Sequence, residues 1–134
     1  MKTIYIYWFS NPIGTITKTD EGKYDIKIYE GFIKWAEHIN EPLICESGVY
    51  DKLPGSIRRR IPVVKSYMGR ELVKKMKQEG YTSIDDLDLL EYSKGVSISD
   101  DYIFLKYLTI EEDYYGIMYE YELQRRKRVT TDEM

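Results

Sequence analysis

The sequence predicts an α+β fold: a small antiparallel sheet of three or more strands, opened by an N-terminal meander, with helices packed on one side. Three observations carry this. The first 29 residues run in short segments of period-two alternation separated by turn residues. The rest of the chain places apolar residues at helical spacing behind capping residues. Antiparallel strands followed by runs of helix are the pattern of helices segregated to one face of a sheet. With 134 residues, 43% of them hydrophobic and 32% charged, the chain is expected to form one globular domain over residues 1–134.

Taken in order, Thr3–Phe9 alternates Ile4, Ile6 and Trp8 against Tyr5, Tyr7 and Phe9, so both faces are apolar and a central, doubly covered strand is expected. Ser10-Asn11-Pro12 reads as a turn, and Ile13–Thr17 as a short second strand. Thr19–Gly22 is a hairpin loop. Tyr24, Ile26 and Ile28 then face one way while Asp25, Lys27 and Tyr29 face the other. Gly31–Ile39 forms a short helix with Phe32, Ile33, Trp35, Ala36 and Ile39 on its apolar side. Ser66 caps a helix running to Glu79, its inner face Met68, Leu72, Val73 and Met76, and Gly80 ends it. Ser83 with Asp86 resembles a capping box that starts a helix bearing Ile84, Leu87 and Leu90. Tyr102–Tyr107 reads as a buried strand. Thr109 is expected to cap a last helix, acidic at Glu111, Glu112 and Asp113 and basic at Arg125, Arg126, Lys127 and Arg128, a polarity that complements the helix dipole.

Chemistry is sparse along this chain. The single histidine, His38, has no cysteine or second histidine near it, so no metal site is expected. Cys45 lies beside Leu43 and Ile44, which predicts an inert, buried thiol, and a lone cysteine forms no internal disulfide. No glycine-rich phosphate loop is present. Asp85 and Asp88 share a helical side without a third ligand. No catalytic residue, cofactor or metal is expected, and the chain reads as non-enzymatic. No apolar run approaches the roughly 18 residues of a membrane span, and Asn11-Pro12 breaks the N-terminal apolar segment too early for a signal peptide. The cytoplasm is the expected compartment.

The charge is unevenly spread. The formal net charge is −3, yet Gly55–Glu79 carries eight basic residues against two acids, and Tyr81–Asp101 carries six acids against one lysine. The two blocks are expected to satisfy each other. Phosphate contacts dominate nucleic-acid binding, but a pI near 5.3 argues against a nucleic-acid partner. Tyrosine is abundant, 14 against 3 phenylalanines, and a ring with a polar tip suits half-buried sheet faces and interfaces.

The segment "GVYDKLPGSIRRRIP", Gly48–Pro62, sets a turn directly before Arg58, Arg59 and Arg60. Ile57 and Ile61, four apart, share a face only if the segment is helical to about Ile61, and Pro62 keeps that helix short. Successive helical positions are about 100° apart, so the three arginines cannot share one ligand. Divided roles are expected: at least one arginine paired with the Asp85–Glu91 acids, another left for a partner.

Read in order, "PIGTIT" (Pro12–Thr17), "GVYDKLPGSIRRR" (Gly48–Arg60), "YTSIDDLDLLEYSKGV" (Tyr81–Val96) and "DYIFLKY" (Asp101–Tyr107) resemble the N-terminal, non-kinase region of HipA-type toxin kinases. That region has a Val-Gly-Thr-Leu-like strand, a Gly-Val-Phe-x-x-Ser-Leu-Pro segment before an Arg-rich helix, and a capped Leu-rich helix. The chain has Gly55-Ser56-Ile57 where the family has Asp-Gly-Trp-Gly. The resemblance spans residues 1–107, with 108–134 as a C-terminal helix and short tail, and no counterpart of the kinase motifs is seen. It implies a stand-alone regulatory subunit: an antitoxin-like inhibitor or partner of a HipA-type kinase, or of a helix-turn-helix protein. The alternatives are a phage or mobile-element inhibitor of a host defence protein, acting through an acidic, Tyr-rich surface, and a nucleic-acid-binding regulator. Candidate protein-interface residues are Tyr50, Leu53, Arg58, Arg59, Arg60, Lys74 and Lys75.

Overall fold

A computed structural model describes residues 1–108 and 113–133, with side chains to residue 127. Five strands form one antiparallel sheet in the order β4-β3-β2-β1-β5: β1 (Lys2–Trp8), β2 (Asn11–Lys18), β3 (Tyr24–Ile28), β4 (Gly48–Tyr50) and β5 (Tyr102–Leu105). The helices are α1 (Glu30–His38), α2 (Gly55–Arg58), α3 (Tyr67–Gln78), α4 (Asp86–Tyr92) and α5 (Tyr114–Glu133). The α+β class and the N-terminal meander are as expected. The short edge strand β4, which lacks a clear alternating run, was not foreseen.

Register explains the core. Ile4, Ile16 and Ile26 stand side by side across three strands, as do Phe104, Ile6 and Ile28 with Gly14 between the last two. Phe32 and Ala36 of α1, Ile57 of α2, Leu87 and Leu90 of α4, and Tyr115 of α5 join this same cluster. Each large side chain so buried contributes about 1.5–3 kcal/mol. β1 is flanked by β2 and β5, and its second face is covered only toward its C-terminal end: Tyr7 is buried and its hydroxyl donates to the Tyr107 carbonyl at 3.1 Å, while Tyr5 is half-buried and Thr3 exposed. The β2–β3 loop closes on Thr19, whose N–H donates to the Lys23 carbonyl at 2.8 Å, with Gly22 at φ +81°.

Several boundaries differ from the sequence reading. The first turn is Phe9–Ser10, with Phe9 at φ +54°, and Asn11 and Pro12 already belong to β2. A bulge at Ile13 absorbs the offset, since Ile6 pairs with Gly14 but Tyr7 with Pro12. Ser66 does cap α3, accepting the Gly69 N–H at 3.0 Å. Its other end closes as a Schellman motif: Tyr81 N–H donates to Met76 O and Gly80 N–H to Lys77 O, with Gly80 at φ +103°. Met68, however, points to solvent. The inward stripe runs Gly69, Leu72, Val73, Met76, with Gly69 and Met76 buried and Leu72 and Val73 half-buried, and α3 packs so tightly that a Cβ on Gly69 would overlap the Val63 carbonyl. Ile39 is exposed just past α1, and β5 ends at Leu105, leaving Tyr107 exposed.

The cap of α4 is Asp85, not Ser83. Its carboxylate accepts the Asp88 N–H at 2.9 Å, and the Asp88 carboxylate accepts the Asp85 N–H at 3.0 Å. The expected cap at Thr109 lies outside the described residues. α5 begins at Tyr114, where Asp113 accepts the Gly116 N–H at 3.2 Å. α5 crosses α1 with glycine against glycine: a Cβ on Gly31 would overlap Gly116 and the Asp113 carboxylate.

Candidate functional site

Pro54 precedes the first turn of α2, and i→i+3 bonds continue it through Arg60 and Ile61. Ile57 is buried and Ile61 half-buried against the core, as the four-residue spacing requires. The arginines consequently fan out. Arg60 turns inward, with its side chain only 6% exposed. Its Nε donates to Ser56 O at 2.8 Å, Nη1 to Gly95 O at 3.0 Å, and Nη2 pairs with the Asp100 carboxylate. The guanidinium also lies over the Phe104 ring, 5.6 Å from its centroid. This corrects two expectations. Arg60 is a buried structural clamp rather than an interface residue, and the acid that an arginine pairs with is Asp100, not one of Asp85–Glu91. The α2 turn aims position 60 at the loop before β5, far along the chain from the α4 cap.

The α4 acids are held by lysines from the sheet. Lys2, Lys18 and Tyr24 form one row across β1, β2 and β3. Lys2 Nζ reaches Asp88 at 2.7 Å and Asp85 at 3.2 Å, and Lys18 reaches Asp86 at 3.4 Å. The Tyr24 hydroxyl donates to Asp86. This cluster was missed in the sequence, although aligning Lys2 with Lys18 through the meander would have exposed it. Burial opposes charge on the Asp85 carboxyl, but the Asp88 N–H and Lys2 outweigh it and hold the carboxyl below its ordinary value. A group depressed in the fold favours folding above its unfolded value, near 3.8. Thermal stability should therefore fall as pH drops below about 4, and Asp85→Asn should flatten that acid limb of a melting-temperature profile.

Arg58 and Arg59 are exposed. Arg59 Nε donates to Gly55 O at 3.1 Å, and Arg58 has no side-chain partner among the described residues. Arg58 borders a groove of about 750 Å³. Leu53, Ile61, Pro62, Val63 and Val64 supply its apolar surface, and Lys52 and Lys65 share its edge with Arg58. Leu53 is a core residue that backs the groove rather than an exposed anchor. Tyr50 is half-buried, its hydroxyl donating to Glu46 O at 2.6 Å. Lys74 and Lys75 are exposed on α3 and are not part of the groove lining. Beyond the groove, Val63, Val64, Tyr67 and Met68 are 69%, 47%, 71% and 81% exposed. Of these, Met68 is the one whose sequence spacing predicts a core position. A second cleft of about 600 Å³ lies on the other side of α2, between Arg59, Arg60, Asp100 and Tyr102.

His38 packs at 5.8 Å from Trp35 and 6.0 Å from Tyr119. Burial and the neighbouring Glu46 push the Cys45 thiol up to about 11, which keeps it protonated at neutral pH. Among the described residues no three His, Cys, Asp or Glu side chains form a group that could hold a metal, and no helix is long and apolar enough to cross a membrane. No family model matches the chain, and no curated protein sequence matches it.

Proposed function

We propose that this chain is a non-catalytic protein-binding regulator, an antitoxin-like inhibitor or partner of a HipA-type kinase. The observation that carries the binding role is the exposed apolar run Val63, Val64, Tyr67 and Met68. Four large apolar side chains within six residues, left uncovered beside an apolar groove, mark a surface that gains by association. Kinase control as the purpose rests on the resemblance. Its segments fall in this fold on β2, on β4 with α2, on α4 and on β5, in the order of the kinase N-terminal region. An inhibitor acting through an acidic surface draws less support, because Asp85, Asp86 and Asp88 are each ion-paired with Lys2 or Lys18.

The test mixes the purified chain with a HipA-type kinase core lacking its own N-terminal region. Size-exclusion chromatography with light scattering should reveal a complex at roughly micromolar concentration, and kinase autophosphorylation should fall as the chain is added. The absence of any complex would overturn the kinase reading.

A further inference from the structure

We infer that the groove beside α2 receives an acidic, apolar segment of a protein partner, with Arg58, Lys52 and Lys65 reading its carboxylates. This deepens the protein-binding reading above and rests on it. The groove combines two chemistries. Its floor, Leu53, Ile61, Pro62 and Val64, calls for apolar side chains. Its edge is cationic, because Lys52, Arg58 and Lys65 have no side-chain partner among the described residues. The two carboxylates that border the groove leave this charge uncompensated. Asp86 is occupied by Lys18 and Tyr24, and Asp51 faces Lys23 at 3.8 Å. Unpaired cations around an apolar floor attract acidic partners, speed their encounter and reject basic ones.

The shape selects a macromolecule over a small ligand. The volume alone is within the roughly 300–1,000 Å³ range of small-molecule pockets. The apolar lining, however, runs out through Val63 and Val64 onto the exposed first turn of α3 at Tyr67 and Met68, which a small molecule in the groove would leave bare. A nucleic acid fits less well than a peptide. Its phosphates would meet the cations, but its sugar-phosphate backbone offers little to an aliphatic floor of leucine, isoleucine, proline and valine. An amphipathic segment with Leu or Phe on one face and Asp or Glu on its borders satisfies both halves of the site.

The test uses the full chain and a fluorescein-labelled amphipathic peptide of roughly four helical turns, Leu and Phe on one face and Glu elsewhere. A Lys-for-Glu counterpart and a single-stranded DNA oligomer serve as comparisons. Anisotropy should show the acidic peptide binding, with affinity falling as salt rises, and the basic peptide should not bind. Arg58→Glu and Lys65→Glu should each weaken binding about tenfold or more. Lys27→Glu, the same charge change on the opposite face of the sheet, should leave it unchanged. Amide shifts in a 15N spectrum should centre on Leu53 and residues 61–65. Equal binding of the basic peptide, insensitivity to both reversals, tighter binding of the DNA, or concentration-dependent self-association that blocks the groove would each overturn the inference. A kinase complex that forms but ignores Arg58→Glu and Lys65→Glu would overturn the groove assignment and leave the proposed function standing. Peptide binding without any kinase complex would do the reverse.

Discussion

Replacing Arg60 with methionine should lower the stability of this protein by about 3–5 kcal/mol, the usual cost of breaking a buried ion pair from one side. The side chain ties three separate pieces of chain: α2 through Ser56 O, the loop after α4 through Gly95 O, and the approach to β5 through Asp100, two residues before the strand. Methionine fills much of the volume but satisfies none of these acceptors, so it leaves the Asp100 carboxylate without its cation and the Gly95 carbonyl without its donor. For a domain of this size the melting temperature should drop by roughly 10–20 °C. Arg60→Lys keeps the charge but loses the forked geometry and should fall between. Arg59→Glu, one position earlier and exposed, should stay within about 0.5 kcal/mol of the parent. Thermal melts of the three variants followed by circular dichroism decide the matter: equal melting for Arg60→Met and Arg59→Glu would remove Arg60 from the structural role assigned to it.

Phe32→Ala should cost about 3–5 kcal/mol as well, by a different mechanism. Phe32 is fully buried at the centre of an aromatic group, with Trp8, Tyr102 and Tyr115 at centroid distances of 5.5, 6.2 and 5.2 Å. Those partners come from β1, β5 and α5, so one ring holds α1 against both the sheet and the last helix. Its loss leaves a cavity that strands and helices cannot both close. Urea unfolding should show a lower midpoint with an unchanged slope, and the emission of Trp8 should shift as its packing loosens. Phe32→Leu removes less volume and should cost less. A Phe32→Ala protein as stable as the parent would show that α1 is held by its glycine contact with α5 instead.

The local periodicities were enough to predict the meander, the hairpin at Gly22, helices α1, α3 and α4, the Ser66 cap and the Gly80 stop. Each depends on neighbours within a few residues: alternation sets a strand face, and a hydroxyl three residues before an amide sets a cap. Where two local solutions were equally good, the sequence could not choose. Met68 and Gly69 both complete a helical stripe with Leu72, Val73 and Met76, and only the close approach of Val63 selects Gly69. Ser83 heads the capping box read from the sequence, whereas in the fold Asp85 and Asp88 cap each other and Lys2 and Lys18 hold the Asp85 carboxylate.

The candidate site was legible in part. Helical geometry required Arg58, Arg59 and Arg60 to diverge, and they do. Which arginine turned inward, and toward which acid, depended on contacts 35 to 42 residues away in the chain. The groove edge likewise exists only because the two charge blocks do not cancel as a pair. The sequence by itself determined the meander, most of the helices, their order and the number of cations in the basic block, but not the edge strand β4. The tertiary structure alone decided that Lys2 and Lys18 would take the acids of α4, which leaves Arg58, Lys52 and Lys65 without partners, because ion pairing follows distance in space rather than separation along the chain.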